Sequence, residues 1–364
     1  MPSQRLLENV RVIDLSQYIP GPFATRQLAD LGAEVIKIEP PGGDPMRFFM
    51  HGEKDRLSPI YRHLNRGKRV CRLDLKDDQG RQALSDLLVD ADILLESFRP
   101  GVLARLGFGR DKLESINADL VHCALSGYGQ NGPYAQRAGH DINYCALSAQ
   151  AIVSGSVDRP MIGYPPIADH AAALQASVAM LAALHAKNAG HGGTYLDISM
   201  TESMLSWQYL PLLGDATRRA ASLLNGGAAC YNIYRCADNH FISLGAIETG
   251  FWNNFCEALD QPQWIARQYE TMPQNELIAE VAALIASKNR KDWRQILDPV
   301  DCCFEALFAT EELAGHTQFQ FRHALDADGP NYPAWINQQA LTPPGGLEEL
   351  ASDDELCWRS THRG

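Results

Sequence analysis

No run in this sequence is both apolar enough and long enough to read as a membrane span. The most apolar stretch, Ala171 to Ala186, is interrupted by Gln175, Ser177 and His185 and falls short of the ~20 residues that a bilayer requires. It reads as a buried core helix. Positive charge is scarce as well. With 32 Lys and Arg against 44 Asp and Glu, the net charge is −12, which argues against a general nucleic-acid or anionic-membrane surface. Any polyanionic ligand then depends on a local basic patch. The 9 cysteines are odd in number, scattered, and adjacent only at Cys302-Cys303, so they offer neither metal-ligand spacing nor a disulfide framework. A reducing cytoplasm is the expected setting. Met1-Pro-Ser-Gln-Arg-Leu-Leu7 lacks the apolar centre of a signal peptide, and Thr361-His-Arg-Gly364 is no peroxisomal address. Internal repeats and low-complexity tracts are also absent. What is present, 45% hydrophobic and 21% charged residues, is a soluble globular composition.

A length of 364 residues favours two domains. The first half alternates short apolar runs with helical periodicity. Strands are expected at Arg11 to Leu15, Ala33 to Ile38, Arg69 to Leu75, Ile93 to Leu95 and Leu120 to Leu125. Between and after them the pattern gives helices at Phe23 to Leu31, Gln79 to Leu88 and Val102 to Ile116. Such alternation implies an α/β fold with a parallel sheet. Two helical runs, Ile142 to Ile152 and Ala168 to Ala186, precede a strand at Thr194 to Ser199 and a helix at Glu202 to Leu213. Asn225-Gly-Gly227 then breaks the pattern before two strands around the turn Asp238-Asn239. Helices at Phe251 to Leu259, Glu276 to Ser287 and Asp292 to Leu297 complete this smaller unit. The division expected is a large domain over 1–224, a small α+β domain over 225–323, and a tail over 324–364 that returns to the large domain.

The basic residues Lys37, Arg47, Arg66, Lys68, Arg69, Arg72 and Lys76 cluster around the second and third strands, and Arg99 opens the fourth helix. They are either phosphate ligands or a solvated rim of loop charge. Gly127, Gly129 and Gly132 match G-x-G-x-x-G after a strand, but Pro133 and Tyr134 interrupt where a phosphate-binding helix should begin. A dinucleotide site is therefore not expected; the glycines instead suit close approach of the backbone to a ligand. His140 stands between this loop and an apolar helix. Asp169 and Glu248 are carboxylates with apolar sequence neighbours, a setting that is expensive unless the charge is paired or used. Their bland alternatives are a helix cap for Asp169 and a strand-end salt bridge for Glu248. His170, His185, His191 and Tyr128 read as structural, and Ser126 lacks the G-x-S-x-G elbow of a hydrolase.

Gln17 to Phe23, Leu31 to Pro41, Asn65 to Lys68, Leu73 to Lys76, Glu96 to Gly101, Ser126 to Tyr134, Gly139 to Tyr144, Ala168-Asp169 and Gly245 to Glu248 together resemble the family III CoA-transferase (CaiB/BaiF) superfamily. Within it they resemble the branch that racemises 2-methylacyl-CoA thioesters. The resemblance implies a Rossmann-like large domain, a small α+β domain and an interlocked homodimer with active sites between domains of different subunits. It implies His140 and Asp169 as paired acid/base groups, Glu248 as the group that orients His140, and the backbone N–H of Asp141 as the donor to an enolate oxygen. Leu73, Asp74, Leu75, Lys76, Gly139, Ile142, Asn143 and Tyr144 would contact the CoA thioester, with Arg99 near the phosphates. Coenzyme A is then part of the substrate, with no further cofactor, metal, nucleic acid or membrane partner.

True transferases of the superfamily use the matching Asp as a nucleophile that forms acyl anhydrides. His140 and the short Ala229-Cys-Tyr231 segment favour the racemase, whereas Lys37 to Asp44 looks transferase-like. Thr249, Glu305-Ala306 and the lack of a Gly-x-His-Thr-x-Glu element near the C-terminus depart from the usual pattern.

Overall fold

The computed structural model describes residues 5–50, 57–214, 218–350 and 356–359. In the first half, short apolar runs become strands and the periodic runs become helices. In order these are β1 (Arg11–Leu15), α1 (Pro20–Asp30), β2 (Glu34–Glu39), α2 (Pro59–Asn65), β3 (Lys68–Arg72), α3 (Asp78–Val89) and β4 (Ile93–Glu96). They continue with α4 (Val102–Arg105), α5 (Arg110–Ile116), β5 (Val121–Ser126), α6 (Asp141–Leu147), α7 (Gln150–Val153), α8 (Ile167–Ala186) and β6 (Thr194–Ser199). The sheet order is β3-β2-β1-β4-β5-β6, all parallel, with the two-residue strand Glu348–Glu349 added beside β3. This is the doubly wound order, in which the order of strand addition reverses between β1 and β4. Every residue of β1, β4 and β5 is buried, as expected of central strands covered on both faces.

Several helix boundaries differ from the sequence pattern, each for a local reason. Helix α1 starts at Pro20 rather than Phe23, because a proline in the first turn has no intrahelical N–H to lose. The run Val102 to Ile116 is two helices, parted at Gly107, whose φ is +98°, a left-handed stop that periodicity does not register. Likewise the run Ile142 to Ile152 breaks at Ala149, φ +66°, and Glu202 to Leu213 divides into α9 (Met200–Ser206) and α10 (Tyr209–Leu213). Helix α8, extended by one turn to His191, is long and apolar enough by length and composition to cross a membrane, but half of its most apolar window is buried in the protein. Its buried alanines, among them Ala168, Ala172 and Ala176, pack against α1, β5 and β6, as a core helix does.

The chain divides into two compact units. The first comprises Met1–Cys145, Tyr164–Met204 and Ala314–Gly364; the second comprises Ala146–Gly163 and Leu205–Leu313. The divisions fall at 205 and 314, where the sequence pattern suggested 225 and 324, and the second unit also takes in 146–163. Arg219 supplies a reason that no periodicity carries: its guanidinium donates to the carbonyls of Ile152, Ser156 and Val157 at 2.8 to 3.0 Å. Within the second unit β7 (Tyr231–Arg235), β8 (Phe241–Gly245), α11 (Thr249–Ala258), α12 (Asn275–Ile285), α13 (Arg290–Leu297) and β9 (Phe304–Ala306) form a three-stranded antiparallel sheet with helices. Trp252, Trp264 and Trp293 anchor its core.

Beneath the sheet's C-terminal edge lies a lattice of buried charge. Lys68 Nζ donates to Asp14 Oδ2 at 3.0 Å, to the Pro22 carbonyl at 2.9 Å and to Asn65 Oδ1 at 3.0 Å, while Thr25 Oγ1 donates to Asp14 Oδ2 at 2.6 Å. Burial alone would raise the Asp14 carboxyl, but Lys68, Lys37 and the hydroxyls of Ser16 and Thr25 outweigh it and hold it well below the usual carboxylate range. That contribution to stability is present above the unfolded pKa near 4 and is lost as pH falls below it.

Removing one partner of such a pair strands the other. Lys68→Met should therefore cost ~3–5 kcal/mol in denaturant unfolding at pH 7, and Asp14→Asn/Lys68→Met should recover a large part of that loss. A single variant as stable as the parent would contradict the pairing.

Candidate active site

At the reversal of strand order the loops after β1 and β4 diverge, and ligands of open α/β sheets bind in the crevice so formed. Here a cavity of about 460 Å³ occupies that position. Gln17 and Tyr18 enter it from the loop after β1, Ser97 to Pro100 from the loop after β4, and Ser126 to Tyr128 from the loop after β5. His140, Tyr144 and Asp169 complete its wall.

The walls are fixed by backbone donors rather than by apolar packing alone. The Ser16 N–H donates to Asp14 Oδ1 at 2.9 Å, the Gln17 N–H to Ser97 Oγ at 3.1 Å, and the Tyr18 N–H to Asp44 Oδ1 at 3.3 Å. Glu96, buried at the end of β4, accepts the Phe98 N–H at 2.6 Å, and burial pushes its carboxyl up to about 7.

The pairing of His140 with Asp169 is built by a third residue between them. His140 directly precedes α6; its carbonyl accepts the Asn143 N–H at 2.8 Å, and Asn143 Oδ1 accepts the His140 N–H at 3.0 Å. This is a cap formed by the helix's own first turn. Asp141 is the next residue, and its Oδ1 accepts the backbone N–H groups of Ala168 at 2.7 Å and Asp169 at 3.1 Å. Helix α8 has no side-chain cap of its own at Pro166, so the Asp141 carboxylate satisfies orphan donors of its first turn and meets the positive end of its dipole. The bond ties the start of α6 to the start of α8. His140 and Asp169, 29 residues apart in sequence, thereby line the same cavity. Burial pushes the Asp169 carboxyl up to about 7, and the neighbouring Asp141 carboxylate adds to the shift. Asp169 is not the helix cap that was its bland alternative; Asp141 takes that place.

Among the other residues singled out in the sequence, Arg99, Gly139 and Tyr144 line this cavity. Leu73 and Asp74 line a different one of about 480 Å³. The side chains of Leu73 and Leu75 pack in the hydrophobic core, which leaves only their backbone for a ligand. Lys76, Ile142 and Asn143 are exposed and line neither cavity. Glu248 belongs to the second unit. It immediately precedes α11 and, against the apolar setting its sequence neighbours suggested, it is exposed; no side-chain hydrogen bond or ion pair holds it among the described residues. Leu244 and Ala246 are buried, but β8 ends at Gly245, so Glu248 lies beyond the strand, at the residue that opens α11.

The basic cluster is mostly structural. Lys37 pairs with Asp44 at 3.0 Å, Arg47 with Glu39 at 2.5 Å, Arg66 with Asp326 at 3.1 Å, Lys68 with Asp14 at 3.0 Å and Arg69 with Glu34 at 3.4 Å. Acidic partners on adjacent strands and in the tail consume these cations; Lys76 and Arg99 form no ion pair among the described residues. Gly127 and Gly139, which both line the cavity, also have a packing role. A Cβ on Gly127 would stand 2.6 Å from the Tyr144 hydroxyl, and one on Gly139 would stand 2.7 Å from that of Tyr128. These glycines make room for tyrosines of the cavity wall. Tyr128, read as structural from the sequence, lines the cavity, as do Tyr18 and Arg137, which were not singled out; their only sequence signal is position just after a strand or inside the glycine loop.

Residues 7–342 match the family model described as CoA-transferase family III. The chain belongs to CoA-transferase family III. It is 33% identical over 340 residues to alpha-methylacyl-CoA racemase of Mus musculus, a match covering 90% of this chain and 84% of that one. It is 31% identical over 366 residues to succinyl-CoA–D-citramalate CoA-transferase of Chloroflexus aurantiacus, covering 94% and 90%. The solved structure of a CAIB/BAIF family protein from Brucella suis shares the fold, with a TM-score of 0.80 over 93% of this chain and 95% of that one at 24% identity. This family III protein is thus an enzyme of the transferase and racemase kind.

In this family III chain the charge of Asp141 can be removed while its accepting oxygen is kept. Asp141→Asn should lower the Asp169 pKa from about 7, because the like charge is gone. Carboxyl ¹³C titration of the labelled protein reads this directly, and an unmoved pKa would contradict the coupling.

Proposed function

We propose that this enzyme epimerises 2-methylacyl-CoA thioesters by moving a proton from one face of the α-carbon to the other. The observation that carries the reading is the single cavity lined by both His140 and an Asp169 carboxyl that titrates near neutrality. Proton exchange on two faces needs two groups that flank one carbon, each able to start protonated or free. When neutral His140 removes the proton, protonated Asp169 delivers one; in reverse the pair begins as imidazolium and carboxylate. Each positioned acid or base contributes ~10²–10⁴-fold.

The backbone N–H of Asp141, at the first position of α6, would hold the enolate oxygen, a type of contact worth about 3–4 kcal/mol. Arg99 and Lys76 would meet the phosphates of coenzyme A, and Leu73 to Lys76 together with Gly139 to Tyr144 would contact the thioester. Glu248 of a second subunit would orient His140 in an interlocked homodimer. The 9 cysteines, all free, 7 of them buried, suit a reducing cytoplasm. A second reading, CoA transfer through an acyl anhydride on Asp169, is favoured by transferase relatives such as the Chloroflexus enzyme and by the access of Asp169 to the cavity.

A single epimer of 2-methylbutanoyl-CoA incubated in D₂O separates the readings. Epimerisation gives deuterium at the α-carbon without any acceptor acid, and His140→Ala loses most of it. Ping-pong kinetics with a hydroxylamine-sensitive acyl group on Asp169, and no wash-in, would establish transfer instead. The pH dependence is directional. Where Asp169 delivers the proton, kcat/KM falls as pH rises through about 7; where it removes the proton, kcat/KM falls as pH drops through the same value.

A further inference from the structure

Tyr18 holds a backbone conformation unusual for a bulky side chain. Its φ is +64°, the left-handed region that bulky residues rarely adopt and that glycine enters freely. Burial does not account for the ring, which is 45% exposed. The backbone, by contrast, is held on either side. The Tyr18 N–H is bonded to Asp44, itself paired with the buried Lys37, and the preceding Gln17 N–H is bonded to Ser97. The next residues open α1 with Pro20 at its first position. A rigid frame thus presents this one side chain from the C-terminal end of β1 into the cavity.

What the ring meets there is His140. The two ring centroids are 6.1 Å apart with planes at 76°, an edge-to-face pair of the geometry aromatic rings prefer. No side chain among the described residues hydrogen-bonds a ring nitrogen of His140, which is exposed in the cavity wall. The edge-to-face contact with Tyr18 is the ring contact that His140 makes among the described residues. Backbone strain at a cavity wall is a recognised accompaniment of preorganised sites, and here the strained residue and the imidazole face each other.

We propose that Tyr18 is a positioning residue that sets the plane of the His140 imidazole for proton transfer. The inference rests on the acid/base reading of His140 given above. It requires the aromatic face or edge of residue 18 and not its hydroxyl. Misalignment of a reacting group by as little as ~1 Å is costly to the chemical step, so the loss falls on kcat and not on KM.

The test uses the full-length enzyme, with α-proton exchange of 2-methylbutanoyl-CoA in D₂O and the ¹H–¹³C spectrum of ¹³C-labelled His140 as separate readouts. Tyr18→Gly takes the same φ without strain, so it removes the ring alone; kcat should fall about tenfold with KM within about twofold, and the His140 resonance should lose the ring-current shift of its neighbour. Tyr18→Phe should restore both, and Tyr18→Leu, which fills the space without an aromatic face, should restore neither. Exchange by Tyr18→Gly at the parent rate with an unmoved His140 resonance would overturn the proposal, as would an equal loss in Tyr18→Phe. If the parent enzyme exchanges no α-proton, it is the epimerase reading that fails, and the His140 resonance alone then decides whether Tyr18 orients the ring.

Discussion

One carboxylate organises the chemistry of this molecule. Asp141 Oδ1 accepts from the first-turn amides of α8, and through that contact two helices from different parts of the chain present their opening residues to one cavity. Burial pushes the neighbouring Asp169 carboxyl up to about 7, and the same Asp141 charge adds to that shift. Asp141 thus contributes to both position and protonation. A neutral acceptor at 141 would preserve the first and weaken the second, which is why a charged residue at this point has a role beyond capping.

The parallel sheet supplies the platform and a buried charge lattice makes it stiff. Asp14, Lys68, Lys37, Asp44, Arg47 and Glu39 are all buried and tie β1, β2 and β3 to the loops that follow β1 and β2. Buried ion pairs are weak sources of stability, since desolvation offsets most of the attraction, but breaking one is costly. Their consequence here is geometric. They fix the amides of Ser16 and Tyr18 and so hold one wall of the cavity before any ligand arrives, which is how binding energy is kept for the reacting carbon.

Much of this arrangement is legible in the sequence because it is local. Arg11 to Leu15 and Thr194 to Ser199 are strands with the boundaries that apolar run length gives, and the alternation of elements implies the parallel sheet. His140 and Asp169 stand out because a histidine at a loop-to-helix junction and a carboxylate among alanines are chemically unusual. What the sequence conceals is pairing at a distance. Lys37, Arg47, Arg66, Lys68 and Arg69 look like a phosphate patch until their acids are found on neighbouring strands and in the tail. Glu248 looks buried from its apolar neighbours until the end of β8 at Gly245 leaves it at the exposed start of α11, and the glycines at 127 and 139 give no sign of the tyrosines that pack beside them. Tyr18 gave no signal, because positive φ at a non-glycine residue is set by its surroundings.

Racemase and transferase relatives both match this chain over most of its length, and under the function proposed above the two chemistries differ in what stands opposite Asp169 across the substrate. On that proposal an imidazole there would make the carboxyl one half of an acid/base pair, and without it the carboxyl would serve as a nucleophile. The most direct measurement is a crystal structure of the enzyme with a bound 2-methylacyl-CoA thioester. The result expected is an α-carbon held between the His140 ring and the Asp169 carboxyl, one on each face. An acyl chain that places its carbonyl carbon in line with an Asp169 oxygen, and its α-carbon out of reach of His140, would contradict it.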